Sequence, residues 1–131
     1  GLVRLELDLT DLFVKKLAVD KFVPAPAQGM LGIQCRNEDE WILGIAKLDC
    51  PAVARAVAAE RLLLNRLDGG CQLPFGVNIM QSEGQWKLEA FLAVSPEDDT
   101  PLRISLVGEN PDDLAEEAWV SLAKHRKNGE T

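Results

Sequence analysis

Apolar and polar positions alternate most regularly in the second half of the chain. Cys71, Leu73, Phe75, Val77 and Ile79 fall two apart, as do Trp86, Leu88, Ala90, Leu92 and Val94, with Lys87 and Glu89 between them. A period of two marks a strand with one buried face. Leu102, Ile104 and Leu106 repeat it, so three strands are expected, with turns at Gln81-Ser82-Glu83-Gly84 and between Ser95 and Pro101. Pro74 keeps the first residues of the first strand out of a central ladder position. Short connections and one wetter face describe an antiparallel meander.

Helical spacing flanks this region. Asp49 can cap a helix with Pro51 in its first turn, where the missing N–H costs nothing. Val53, Val57, Leu64 and Leu67 would form its apolar face, and Gly69-Gly70 would end it in the left-handed conformation. Near the other end, Asn110 is the expected N-cap, Pro111 the first helical residue, and Asp112-Asp113 meet the positive helix terminus. Leu114, Ala118, Trp119 and Leu122 make its stripe. Helix, three strands, helix is an α+β unit of two layers over roughly residues 48 to 125.

The first half is less regular. Leu5, Leu7 and Leu9 read as a short extended segment, and Thr10-Asp11 as the cap of a helical turn through Leu17. Pro24 and Pro26 exclude helix around Phe22-Val23-Pro24-Ala25-Pro26. Gly29-Met30-Leu31-Gly32-Ile33-Gln34-Cys35 reads as a strand, and Asp39 to Leu48 as a weak helix. The stretch up to about Arg36 has too little apolar sequence to close a core alone, so it reads as sheet pieces whose partner strands lie elsewhere.

Composition narrows the function classes. A chain of 131 residues, 47% hydrophobic and 27% charged, is sized and composed as one globular domain. A net charge of −7 argues against nucleic acid as a partner, because phosphate binding needs a surplus of Lys and Arg. No apolar run reaches the length of a membrane span, and no secretory signal is visible. Cys35, Cys50 and Cys71 are three and widely spaced, which favours free thiols in a reducing cytoplasm. Without a C-x-x-C pair, and with His125 as the only histidine, no metal site is expected. Cys35 and Cys50 read as structural, and Trp41, Trp86 and Trp119 as core or interface residues.

Cys71 carries the most chemical interest. It follows two glycines just past a helix C-terminus, whose negative end would raise a thiol pKa rather than lower it. No nearby histidine could serve as its base, so on chemistry alone it does not look like a protease-type nucleophile and reads as a small apolar residue opening a strand.

Its context says more. Glu60-Arg61, eight residues, Gly69-Gly70-Cys71, then Gln72 and Pro74, resembles the sequence around the cofactor-bearing cysteine of porphobilinogen deaminases (hydroxymethylbilane synthases). Leu73 stands where a β-branched residue is more usual. Gly1-Leu2-Val3-Arg4-Leu5 is similar to that family's Gly-Leu-x-Arg-Leu. Pro26 to Arg36 is similar to its Gly-Gln-Gly-Ala segment, with Ala27 replacing the first Gly.

The resemblance implies a transferase of tetrapyrrole and heme biosynthesis that joins four porphobilinogen molecules into hydroxymethylbilane, releasing ammonia. It implies a covalent dipyrromethane cofactor held by a thioether to Cys71, with Gly70 beside it and Arg4 binding a carboxylate. Thiolate sulfur suits addition to the electrophilic carbon left when ammonia departs, and the arginine fork suits the acetate and propionate arms. Arg61 and Arg66 read instead as solvated or structural. The family's catalytic aspartate would precede Gly1, so no catalytic residue is expected in this chain and the chain alone should be inactive. Residues 1–23 would end the family's second domain, 24–47 return to its first, and 48–131 form the third, which bears the cofactor. The partners implied are porphobilinogen and the N-terminal half of the same enzyme, which would be monomeric when whole. The chain alone is then expected to disorder residues 29 to 35, fold them onto the third domain, or pair them with a second copy.

A non-enzymatic small-ligand-binding or regulatory α+β module would also account for the meander and its helices. It leaves Gly69-Gly70-Cys71 unexplained. A redox thiol protein would need a partner cysteine or a depressed thiol pKa, and the sequence offers neither.

Overall fold

The computed structural model describes residues 4–38, 40–68, 73–95 and 97–129. Six elements follow in order: α1 (Ile42–Ala46), α2 (Pro51–Leu67), β1 (Phe75–Ser82), β2 (Gln85–Leu92), β3 (Leu102–Gly108) and α3 (Pro111–Gly129). The strands form one antiparallel sheet in the order β1-β2-β3, and α2 and α3 pack side by side on one face. The α+β unit expected from the alternation is the architecture observed.

The hairpin joining β1 to β2 follows from two residues. Ser82 pairs with Gln85, leaving Glu83 at φ 52° and Gly84 at φ 82°. Two consecutive positive φ values match the right-handed twist of the strands, and glycine adopts one without a Cβ penalty. Val77, Ile79, Leu88, Ala90 and Leu92 face inward, each exposed by 2% or less. They meet Ala56, Ala59, Leu63 and Leu67 of α2 and Leu114, Ala115, Ala118 and Leu122 of α3. Trp86 closes this core, and Trp119 packs on its border.

Cap chemistry holds α3 as expected. The Asp112 N–H donates to Asn110 Oδ1 at 3.0 Å, Pro111 opens the helix, and Asp112 and Asp113 occupy its first turn. For α2 the ends differ from expectation. Its N-cap is Cys50 rather than Asp49 and gives no side-chain cap. The left-handed C-cap is Asp68 at φ 46°, one residue before Gly69, and Gly69-Gly70 lie outside the described residues. The buried face is also rotated from the expected one. Ala56, Ala59, Glu60, Leu63 and Leu67 face the core, whereas Val53 is exposed. Small Ala56 and Ala59 share that inward face with Leu63 and Leu67.

No strand forms among the described residues before Phe75. Leu5, Leu7 and Leu9 are not in a ladder, and neither is the run from Gly29 to Cys35. A strand needs a partner to fill its N–H and C=O groups, and neither segment pairs with the sheet. The helical turn expected after Thr10-Asp11 is missing too, because Thr10 donates through both its N–H and Oγ1 to Asp8 Oδ1. The weak helix shrinks to α1. Phe13, Leu31, Trp41 and Leu43 all stand open to solvent, so Trp41 is no core residue here.

Candidate functional site

Cys71, Gly70 and Gln72 lie outside the described residues, so the site is defined by what brackets them. Asp68 turns the chain out of α2, and Leu73 and Pro74 bring it back into β1. Between those ends opens a groove of about 770 Å³, walled by Leu64, Asn65 and Asp68 from the end of α2, Leu73 and Phe75 beside β1, and Ala25 and Pro26 from the opposite side. The walls are largely apolar, with Asp68 the one charged group among the described lining residues.

Ala25 and Pro26 belong to a strap that the sequence did not place. Around Lys21 it lies beside β3, where the Lys21 carbonyl accepts from the Arg103 guanidinium. It then passes over Gly76, and the Pro24 carbonyl accepts from the Val77 N–H at 2.9 Å. Beyond Pro26 it meets Glu60, whose Oε2 accepts from the Ala27 N–H at 2.7 Å. The other Glu60 oxygen accepts from the Ile79 N–H at 2.6 Å. The outer edge of β1, which no strand among the described residues covers, is thus filled at Val77 and Ile79 by a carbonyl and a carboxylate.

Glu60 is 1% exposed on the core face of α2. Desolvation holds its carboxyl above the ordinary value, while the Ile79 and Ala27 N–H groups pull it the other way. Sequence reasoning took the Glu60-Arg61 pair only as part of a signature. The available signal was its phase: Glu60 lies four residues after Ala56 and three before Leu63, inside the buried stripe.

The arginines separate in the structure. Arg66 makes a two-point pair with Glu116, at 2.8 and 2.5 Å, and stacks over Trp119, which is the structural role expected of it. Arg61 and Arg4 are exposed, and Arg4 is not among the residues walling the groove. Among the described residues, no three His, Cys, Asp or Glu groups cluster as a metal site would require. No helix among the described residues is long and apolar enough to cross a membrane.

Most of α2, the sheet and most of α3 carry a family match. Residues 54–125 match the model of the porphobilinogen deaminase C-terminal domain. The chain belongs to the porphobilinogen deaminase family. Residues 1–44 match a second model of that family, its dipyrromethane cofactor binding domain. A porphobilinogen deaminase of Chlorobium chlorochromatii is 38% identical over 121 residues, 90% of this chain and 38% of the relative. One from Geotalea uraniireducens is 38% identical over 119 residues, covering 90% and 36% respectively. One from Halalkalibacterium halodurans is 35% identical over 108 residues, covering 81% and 34%. The chain therefore spans little more than a third of the length of these porphobilinogen deaminases.

Proposed function

We propose that this chain is the C-terminal part of a transferase of tetrapyrrole biosynthesis, a porphobilinogen deaminase that joins porphobilinogen units into hydroxymethylbilane. Its part would be to carry the dipyrromethane cofactor on Cys71 through a thioether. The observation that carries this reading is the run from Glu60 to Pro74, which lies inside the matched C-terminal domain with Gly69-Gly70-Cys71 in the cofactor-cysteine context.

The groove beside that run supports the reading. Two flat pyrrole rings suit apolar walls such as Pro26, Leu64, Leu73 and Phe75. The acetate and propionate arms do not suit Asp68, so they must be met by cations outside the described lining. Arg4 is the candidate from this chain, exposed and free to face whatever packs against residues 1–23. The cofactor, when bound, supplies the chain end to which further pyrroles are added. Cys71 would anchor it, with Gly70 beside it in sequence.

The division 1–23, 24–47 and 48–131, the cytoplasmic setting and the inactivity of the chain alone belong to the same proposal. The apolar side chains left open before residue 50, among them Phe13, Phe22 and Leu31, would pack against the remaining part of the enzyme. A small-ligand-binding module accounts for the sheet and helices but not for two ordered family matches. The test is Cys71→Ala in the full-length enzyme. Product formation and covalently bound pyrrole should both disappear, and their survival at parental levels refutes the assignment.

A further inference from the structure

We propose that Glu60 is a positioning residue: it latches the strap from Pro24 to Gln28 onto β1, and so fixes one wall of the groove between the end of α2 and the start of β1. The proposal rests on the reading of Cys71 given above.

An ionised carboxylate can only accept hydrogen bonds, and Glu60 gives one oxygen to each of two distant segments. Oε1 holds the Ile79 N–H on the free edge of β1, and Oε2 holds the Ala27 N–H on the strap. One side chain of α2 therefore ties the helix, the sheet edge and the strap together. The second tie is the Pro24 carbonyl on the Val77 N–H, two residues along the same edge. Ala25 and Pro26, the strap residues that wall the groove, sit between these two ties.

The strap is built to be held at both points. Pro24 and Pro26 fix two φ angles, which stiffens the span. Ala27 sits at φ 58°, a left-handed conformation that a non-glycine residue keeps only where its surroundings impose it. The Glu60 carboxylate holds its N–H, and the turn bonds from the Gln28 N–H to the Ala25 carbonyl and from the Met30 N–H to the Ala27 carbonyl bracket it. Gln28 closes the turn from the other side, its Oε1 accepting from the Ala25 N–H at 3.1 Å. Gly76 lets the strap approach β1, since a Cβ there would stand 2.7 Å from the Val23 carbonyl oxygen.

A structural glutamate would only need to satisfy buried donors. A latch also predicts that loss of one acceptor frees the strap while the core persists, and that cofactor attachment suffers with it. The first arm uses the 131-residue chain and amide hydrogen exchange. In Glu60→Gln, one of the two amides must face an NH₂ group. At least one of Ala27 and Ile79 should then exchange about tenfold faster or more, with Leu88 and Ala90 unchanged. Glu60→Ala should release both. If Glu60→Ala does not fold, Glu60→Gln decides, and parental exchange at both amides overturns the latch.

The second arm uses the full-length apoenzyme given porphobilinogen, with attachment followed by the mass of the Cys71 peptide. Glu60→Gln should load several-fold more slowly at low porphobilinogen and approach the parental rate at high concentration. Equal loading at every concentration overturns the positioning role. Pyrrole found on another residue overturns the reading of Cys71 and the positioning role with it, while the exchange arm still judges the latch.

Discussion

Gly76→Ala isolates the contact between strap and sheet. An added Cβ would stand 2.7 Å from the Val23 carbonyl oxygen, 3.0 Å from that of Pro24 and 3.2 Å from the Val23 carbonyl carbon. All three are backbone atoms, so no rotamer change relieves the clash. Overpacking of this kind costs roughly 1–3 kcal/mol, and losing the bond from Val77 to Pro24 adds about 0.5–1.5 kcal/mol. The strap has a way out, since it can lift off β1 while Val77, Ile79 and Leu88 stay buried on the other face of the sheet. Lifting limits the loss to the strap's own docking energy, so the unfolding free energy should fall by roughly 1–3 kcal/mol rather than by the sum. Urea unfolding followed by tryptophan fluorescence measures that fall, with a slightly smaller denaturant slope because less surface remains to be exposed. Hydrogen exchange at the Val77 amide should accelerate, while exchange at Leu88 should not. A midpoint shift worth less than about 0.5 kcal/mol, with Val77 as protected as before, would refute the reasoning.

Two further expectations follow from burial and charge. Leu122 is fully buried where α3 meets the core, so Leu122→Ala should cost about 2–5 kcal/mol in the same urea assay, whereas exposed Val120→Ala should stay within about 0.5 kcal/mol. Asp98 accepts from the Val94 and Thr100 N–H groups, which hold its carboxyl below the ordinary value. Its stabilisation is complete above the unfolded aspartate range and is lost as pH falls through the depressed folded value, so Asp98→Asn should flatten the acid limb of a stability–pH curve. Glu60 has the opposite sign: its raised folded value gives stability present below the unfolded pKa and lost as pH rises through the folded one.

Local chemistry made part of this fold legible in advance. The cap at Asn110, the Glu83-Gly84 turn and the alternation from Trp86 to Leu92 each act within a few residues, and each formed as read. The buried face of α2 was not legible from its large side chains, because small Ala56 and Ala59 are buried on it while Val53 is exposed. The strand expected over Gly29 to Cys35 depends on partners that the described residues do not supply, and the apolar run alone cannot form one. For the site, the Glu60 to Pro74 signature pointed to Cys71, which lies outside the described residues, and the groove beside that run draws one wall from elsewhere. Ala25 and Pro26 reach the groove across more than thirty residues, and the neighbouring Ala27 is held by a carboxylate whose burial only its helical phase betrays.

The central claim is that Cys71 holds the cofactor. Proteolysis of the full-length enzyme followed by peptide mass mapping tests it most directly. The account predicts a mass increment of two pyrrole units on the peptide containing Cys71, retained under denaturing conditions as a thioether would be. An unmodified Cys71 peptide from active enzyme, or the increment on a peptide without Cys71, would contradict it.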